Sequence, residues 1–117
     1  MIAGDIDGAL ASVEQPLQAN SPVIRSRALR LRGELRLIQG RTELAEADFR
    51  EAIAIAQKMG AKALELGATT SLPRLLDQQG RRDEARSMLA EIYGWFTEGF
   101  DTVDLKDAAA LLRELGA

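Results

Sequence analysis

Apolar residues recur at helical spacing over most of this chain of 117 residues. Between Pro22 and Gly40 they follow one another at alternating steps of four and three residues, which predicts a narrow apolar stripe along one helix. The residues of this predicted core face are Ile24, Ala28, Leu31, Leu35 and Ile38. Leu29, Gly33 and Leu37 form a second apolar face on the opposite side. We therefore expect this helix to pack between two neighbours.

Four later segments carry the same spacing, and none shows the two-residue alternation of a β-strand. Glycines separate these segments and are expected to end the helices before them. Pro73 lies inside one of them and should either divide that helix after Leu72 or bend it. The predicted inward residues are Ala45, Phe49, Ala52, Ala56 and Met59, then Leu64, Ala68, Leu72, Leu75 and Leu76, then Ala85, Leu89, Ile92, Tyr93 and Phe96, and finally Leu105, Ala108, Leu112 and Leu115.

A short motif occurs three times, as GDIDGA from Gly4, GRTELA from Gly40 and GRRDEA from Gly80. The last two copies are 40 residues apart, and the segments around them align at the same offset. A glycine can end one helix in the left-handed conformation, an acidic residue favours the next helix start, and an alanine lets two helices touch. The motif therefore predicts antiparallel helical hairpins, of which the first is only half present.

The stretch LRGELRLIQGRTELAEADFREAIAIA resembles a tetratricopeptide repeat (TPR). Gly33, Ala45, Phe49 and Ala52 occupy the small, alanine and aromatic positions of that pattern. The spacing of 40 residues exceeds the common 34, which implies longer helices. The resemblance implies an all-α fold, in which hairpins stack as a short TPR-like right-handed solenoid of about 2.5 repeats plus a C-terminal capping helix. We expect one domain, with a half repeat at 1–20, repeats at 21–60 and 61–100, and the capping helix at 101–117.

Nearly the whole chain, especially EIYGWFTEGFDTVDLKDAAALLREL, also resembles the C-terminal repeat tail of large bacterial signalling proteins. In those proteins an adenylate or guanylate cyclase domain, or a DNA-binding domain, precedes an ATPase module and the helical tail. The resemblance implies that this chain is such a tail or a freestanding relative of it. It transfers no catalytic residue, because the cyclase and ATPase motifs are not in this sequence.

The composition excludes several kinds of chemistry. The chain has no cysteine and no histidine, so thiolate nucleophiles, imidazole bases and the usual zinc sites are absent. No glycine-rich phosphate loop occurs, and the acidic pairs lie at predicted helix starts. We therefore predict no enzyme activity, no cofactor and no metal site. The net charge of −3 argues against nucleic acid and anionic membranes as partners, and we expect a cytoplasmic location.

The charge distribution is uneven. Six arginines and one glutamate lie between Ser21 and Arg41, whereas six acidic residues and two basic ones follow from Glu91 onward. Arginines on one helix edge can grip the carboxylates of an acidic peptide, or they can simply pair with glutamates such as Glu43, Glu46 and Glu65. If the TPR geometry holds, the candidates facing the groove are Arg27, Arg30, Glu34, Thr70, Arg74 and Asp77.

Four of the five aromatic residues lie between Tyr93 and Phe100, and they fit either an exposed anchor for a partner or a plug at the end of the stack. Overall, the repeat and the lack of catalytic residues predict a non-catalytic module that binds a protein or peptide in a bacterial signalling or transcription system. Two alternatives remain open, a groove that senses a small molecule and a homodimer. The predicted dimer seam is Ile6, Leu10, Val13 and Leu17.

Overall fold

A computed structural model of the chain describes residues 3–116, with side chains from residue 6 onward. The described part is all-helical and contains no β-strand, as predicted. Its helices are α1 (Ala3–Ser12), α2 (Glu14–Leu17), α3 (Pro22–Ile38), α4 (Thr42–Met59), α5 (Lys62–Gln78), α6 (Arg82–Tyr93) and α7 (Val103–Glu114). α5 runs without interruption through Pro73, so the predicted alternative of a helix break after Leu72 is wrong.

Helices α3 and α5 begin and end 40 residues apart, and α4 and α6 begin at the same offset. The turns between them also match. Gly40 and Gly80 have left-handed φ angles of 77° and 78°. The N–H of Arg41 donates to the carbonyl of Arg36, and the N–H of Arg81 donates to that of Leu76, both at 2.8 Å. Each glycine therefore ends its helix in the same hydrogen-bonded turn, where a side chain would be strained.

The first copy of the motif behaves differently. Gly4 lies inside α1 rather than after a helix, so the expectation that it ends a helix is wrong. The segment after it is also divided, since α1 ends at Ser12 and the single turn of α2 begins at Glu14.

The helices form two layers. Each helix from α3 to α7 packs on the next one in the chain, and α3 also contacts α5, which in turn contacts α7. The backbones of α4 and α6 make no such contact with each other. The molecule is 22 Å thin in its shortest direction, which is about two helix diameters. Helices α3, α5 and α7 therefore lie side by side in one layer, with α4 and α6 in the other.

In the hairpin of α3 and α4, the aromatic ring of Phe49 packs against Gly33. Phe49 is fully buried, and a β-carbon added to Gly33 would lie 2.5 Å from its Cε1 atom. Forty residues later the corresponding pair is Pro73 and Leu89, which are both buried. In the second hairpin, the first helix therefore carries a larger residue than Gly33, and the second helix carries a smaller residue than Phe49.

The predicted core face of α3 is partly wrong. Ala28 and Leu35 are buried, but Ile24, Leu31 and Ile38 are 47%, 49% and 56% exposed. Instead, the core contains residues of the second apolar face that the sequence shows, including Leu29 and Gly33. The helix is sandwiched as expected, because α1 and α2 pack on it as well as α4 and α5, yet its outermost stripe has no covering element in the described chain.

The other predicted inward positions mostly agree with the structure. Met59 is an exception, since it lies exposed at the end of α4, just before the turn at Gly60. Tyr93 and Phe96 pack partly against the core, whereas Trp95 and Phe100 are exposed.

A buried carboxylate joins α3 to α4. Asp48 is only 2% exposed and accepts two hydrogen bonds from Arg32, at 2.8 and 3.0 Å, and two from Arg36, at 3.0 and 3.1 Å. The hydrogen bond with Asp48 raises the pKa of Arg32. These two arginines are therefore structural, and their partner is an aspartate rather than the glutamates suggested by the sequence.

A ring of four exposed or half-buried charges links α4 to α6. Arg50 bonds both Glu46 and Glu84, and Arg81 bonds the same two carboxylates, at 2.8 to 3.0 Å. The hydrogen bonds from Arg50 and then Arg81 lower the pKa of Glu84. The stability from this ring is therefore complete above the unfolded-state pKa of Glu84 and is lost as the pH falls through the lowered value. The contribution of this ring to stability is small because water screens these charges.

Candidate partner-binding groove

A groove of about 530 Å³ opens between the first halves of α3 and α5 and the start of α7. The three helices of one layer meet there, so the groove follows directly from the stacking of the hairpins. Small and apolar residues form much of its wall, and charged residues lie among them. Its lining residues are Val23, Ser26, Arg27, Arg30, Ala61, Lys62, Ala63, Leu64, Gly67, Ala68 and Asp104.

The charge of the groove is predominantly positive. Arg27, Arg30 and Lys62 contribute three cations, and Asp104 contributes the single carboxylate among the lining residues. Within residues 6–116, Arg27 makes no side-chain hydrogen bond or ion pair. Lys62 lies 3.4 Å from Glu65 and 5.8 Å from the centre of the Trp95 ring. A negatively charged group entering the groove would therefore meet one unpaired guanidinium and two partly engaged cations.

The Arg30 side chain is held across the contact between α3 and α5. Its Nε donates to Ser71 Oγ at 2.9 Å, and one terminal nitrogen donates to Thr70 Oγ1 at 3.3 Å. Ser71 in turn donates to Glu34 Oε1 at 2.7 Å. This network fixes the guanidinium before any ligand arrives, so less conformational entropy is lost on binding.

The other terminal nitrogen of Arg30 lies over Gly67. A β-carbon added there would be 3.0 Å from that nitrogen, closer than ordinary van der Waals contact. Gly67 costs helix stability in the middle of α5, but it makes room for the guanidinium beside the groove.

Replacing Gly67 with alanine should move Arg30 without harming the fold. We expect the free energy of unfolding to stay the same or to rise by up to about 1 kcal/mol, since alanine favours the helix. The NMR signal of the Arg30 Nε–H group should shift, because its bonds to Ser71 and Thr70 must readjust. Gly8→Ala is the matched control, as a β-carbon there would have no atom within 4 Å. An unchanged Arg30 signal in Gly67→Ala would contradict this description of the groove.

The structure brings together several residues predicted from the sequence. The hydrogen-bond network of Arg30 includes Thr70 and, through Ser71, Glu34. Arg27 lines the groove. Arg74 is exposed and is not among the lining residues, and Asp77 bonds Arg82 at 2.9 Å.

Sequence reasoning missed Lys62, Gly67 and Asp104 as groove residues. The 40-residue offset contained a signal for Gly67, because it aligns this residue with Arg27, which the sequence had placed on the groove side. No comparable signal indicated Asp104, whose place depends on how α7 folds back.

The predicted dimer seam is largely internal. Ile6 and Val13 are 6% and 3% exposed, and Leu10 and Leu17 are half-buried. Because α1 and α2 pack on α3, these side chains face the body of the chain rather than a second copy.

Residues 6–116 contain no cluster of three or more acidic side chains placed to hold a metal ion. None of the described helices is long and apolar enough to cross a membrane.

The fold and the groove define the class of this chain as a small all-helical protein with a cationic groove. No protein-family model matches the chain, and the searches of curated proteins and of solved structures found no significant match either.

Proposed function

We propose that this protein is a non-catalytic interaction module that binds an acidic segment of a partner protein in the groove between α3, α5 and α7. The observation that carries the proposal is the fixed guanidinium of Arg30 beside the unpaired Arg27 and the nearby Lys62. Guanidinium groups form strong, directional hydrogen bonds with carboxylates. A groove that presents two of them among small and apolar wall residues suits a peptide with neighbouring acidic and small apolar side chains.

The helix arrangement supports a TPR-like solenoid as the setting for this groove. Matching helix bounds, matching glycine turns and a layer made of α3, α5 and α7 are what stacked hairpins would produce. In such a stack the first helix of each hairpin would line the concave side, and the groove is lined by α3 and α5, the first helices of the two hairpins. Membership of a bacterial signalling or transcription system rests only on the sequence resemblance described above.

A second candidate is a small-molecule sensor, and the volume of the groove favours it to some degree. About 530 Å³ lies within the range of small-molecule pockets. The same cations would then select an anionic compound. We prefer the peptide because the groove is open and extends over three helices, so an extended chain can contact all of them.

Charge reversal at Arg27 tests the proposal. Acidic peptides selected from a displayed library against the wild-type protein should bind Arg27→Glu about 10- to 100-fold more weakly, since a charged hydrogen bond is lost and a like charge is introduced. Arg113→Glu makes the same change in net charge on an exposed part of α7 and should leave the affinity nearly unchanged. Equal losses in both variants would show that only overall charge matters and would contradict the proposal. A small carboxylate that binds as tightly as the peptides would favour the second candidate.

A further inference from the structure

Helix α3 carries an apolar stripe that the described chain leaves open. Ile24, Leu31 and Ile38 are about half exposed and are spaced by seven residues, so they lie one above another on a single face of the helix. Single exposed apolar side chains are ordinary, but a row of three along one helix is the pattern of a helix-packing seam.

The repeat shows that a helix fits on this face. Forty residues later, Ser71 of α5 occupies the position of Leu31, and it bonds Glu34 and Arg30 of α3. At the centre of this face, α5 is therefore covered by α3 itself. On α3 the equivalent face bears Leu31 and Ile38 where α5 has Ser71 and Gln78, and it has no neighbouring helix in the described chain.

The charges beside the stripe indicate which helix would cover it. Arg27 and Glu34 flank Leu31 on one edge of α3, one before it and one after it. If a second α3 lies antiparallel with its Leu31 on a two-fold axis, Ile24 of one copy faces Ile38 of the other. Arg27 of each copy then lies beside Glu34 of its partner. Such a symmetric contact satisfies both the apolar stripe and the charges with the same surface.

We propose that the protein forms a two-fold symmetric homodimer through α3, with Ile24, Leu31 and Ile38 as its seam. This surface differs from the α1 seam expected from the sequence, and the proposal does not depend on what binds in the groove. Arg30 and Lys62 stay on the groove side of α3 and α5, whereas Arg27 belongs to both surfaces, because it lines the groove and would pair with Glu34 of the partner subunit in the dimer.

Sedimentation equilibrium on the full chain without ligand tests the dimer. The wild type should show a monomer–dimer equilibrium, and Leu31→Glu should raise the dissociation constant by about a hundredfold or more, because it places two like charges together on the axis. Leu44→Glu is the matched control, since Leu44 is equally exposed but lies on α4, and it should dimerise as the wild type does. A wild-type protein that remains monomeric up to millimolar concentration overturns the proposal, as does equal weakening by both variants.

Cross-linking tests the antiparallel register. The chain has no cysteine, so single cysteines can be introduced without competing thiols. Leu31→Cys should cross-link to its own copy through a short bis-thiol reagent, whereas Ile24→Cys should cross-link well only when mixed with Ile38→Cys. Efficient self-linking of Ile24→Cys would indicate a parallel pair and would overturn the arrangement.

Discussion

The double replacement Arg32→Met and Arg36→Met should lower the free energy of unfolding by about 3–5 kcal/mol. Both arginines bond the carboxylate of Asp48, which is almost completely buried between α3 and α4. Methionine keeps much of the side-chain packing but removes all four hydrogen bonds, so the variant retains an unpaired buried charge. Urea unfolding followed by circular dichroism measures this loss.

Two further variants separate the buried charge from the mere loss of an ion pair. Arg82→Met removes the more exposed bond to Asp77 and should cost no more than about 1 kcal/mol. Adding Asp48→Leu to the double variant should restore most of the stability, because all three side chains at these positions are then apolar and no charge is buried. A loss below about 1 kcal/mol in the double variant would show that Asp48 does not depend on these arginines.

Phe49→Ala should cost a comparable 3–5 kcal/mol, because it leaves a large cavity in the centre of the first hairpin. The ring is fully buried and lies against the backbone of α3 at Gly33. Gly33→Ala probes the same contact from the other side. Its β-carbon would overlap the ring, so we expect a loss of about 1–3 kcal/mol despite the better helix propensity of alanine.

The second hairpin supplies the rescue for this contact. There the pair is Pro73 with Leu89, so a larger residue on the first helix is accommodated by a smaller one on the second. Gly33→Ala combined with Phe49→Leu should therefore be less destabilised than the sum of the two single variants. Additive losses would show that the two positions do not compensate each other. Unfolding curves of the three variants, measured in the same buffer, decide the question.

Local sequence signals predicted the helices well where one residue determines the backbone. Gly40 and Gly80 have the left-handed conformation that the motif indicates, and the all-α class follows from the helical spacing of apolar residues. Which apolar face is covered could not be predicted in the same way. Helical periodicity showed both faces of α3, but exposure of Leu31 depends on which neighbours the fold supplies.

The candidate site was predicted in part for a related reason. Arg30 and Thr70 lie 40 residues apart, so the repeat offset itself placed them at equivalent positions on adjacent helices. The burial of Asp48 was not predicted, because a single aspartate on an amphipathic helix usually faces water. Only the packing of α3 on α4 buries it. Long-range contacts of this kind have no signature in one sequence.

The groove itself is tested most directly by NMR titration of the isotope-labelled 117-residue chain with a short glutamate-rich peptide. Binding as proposed predicts that backbone amide shifts concentrate in the first halves of α3 and α5 and at the start of α7 near Asp104. The same peptide with glutamine in place of glutamate should produce little change. Shifts confined to α4 and α6, or equal responses to both peptides, would contradict the assignment of this groove as the site for an acidic partner.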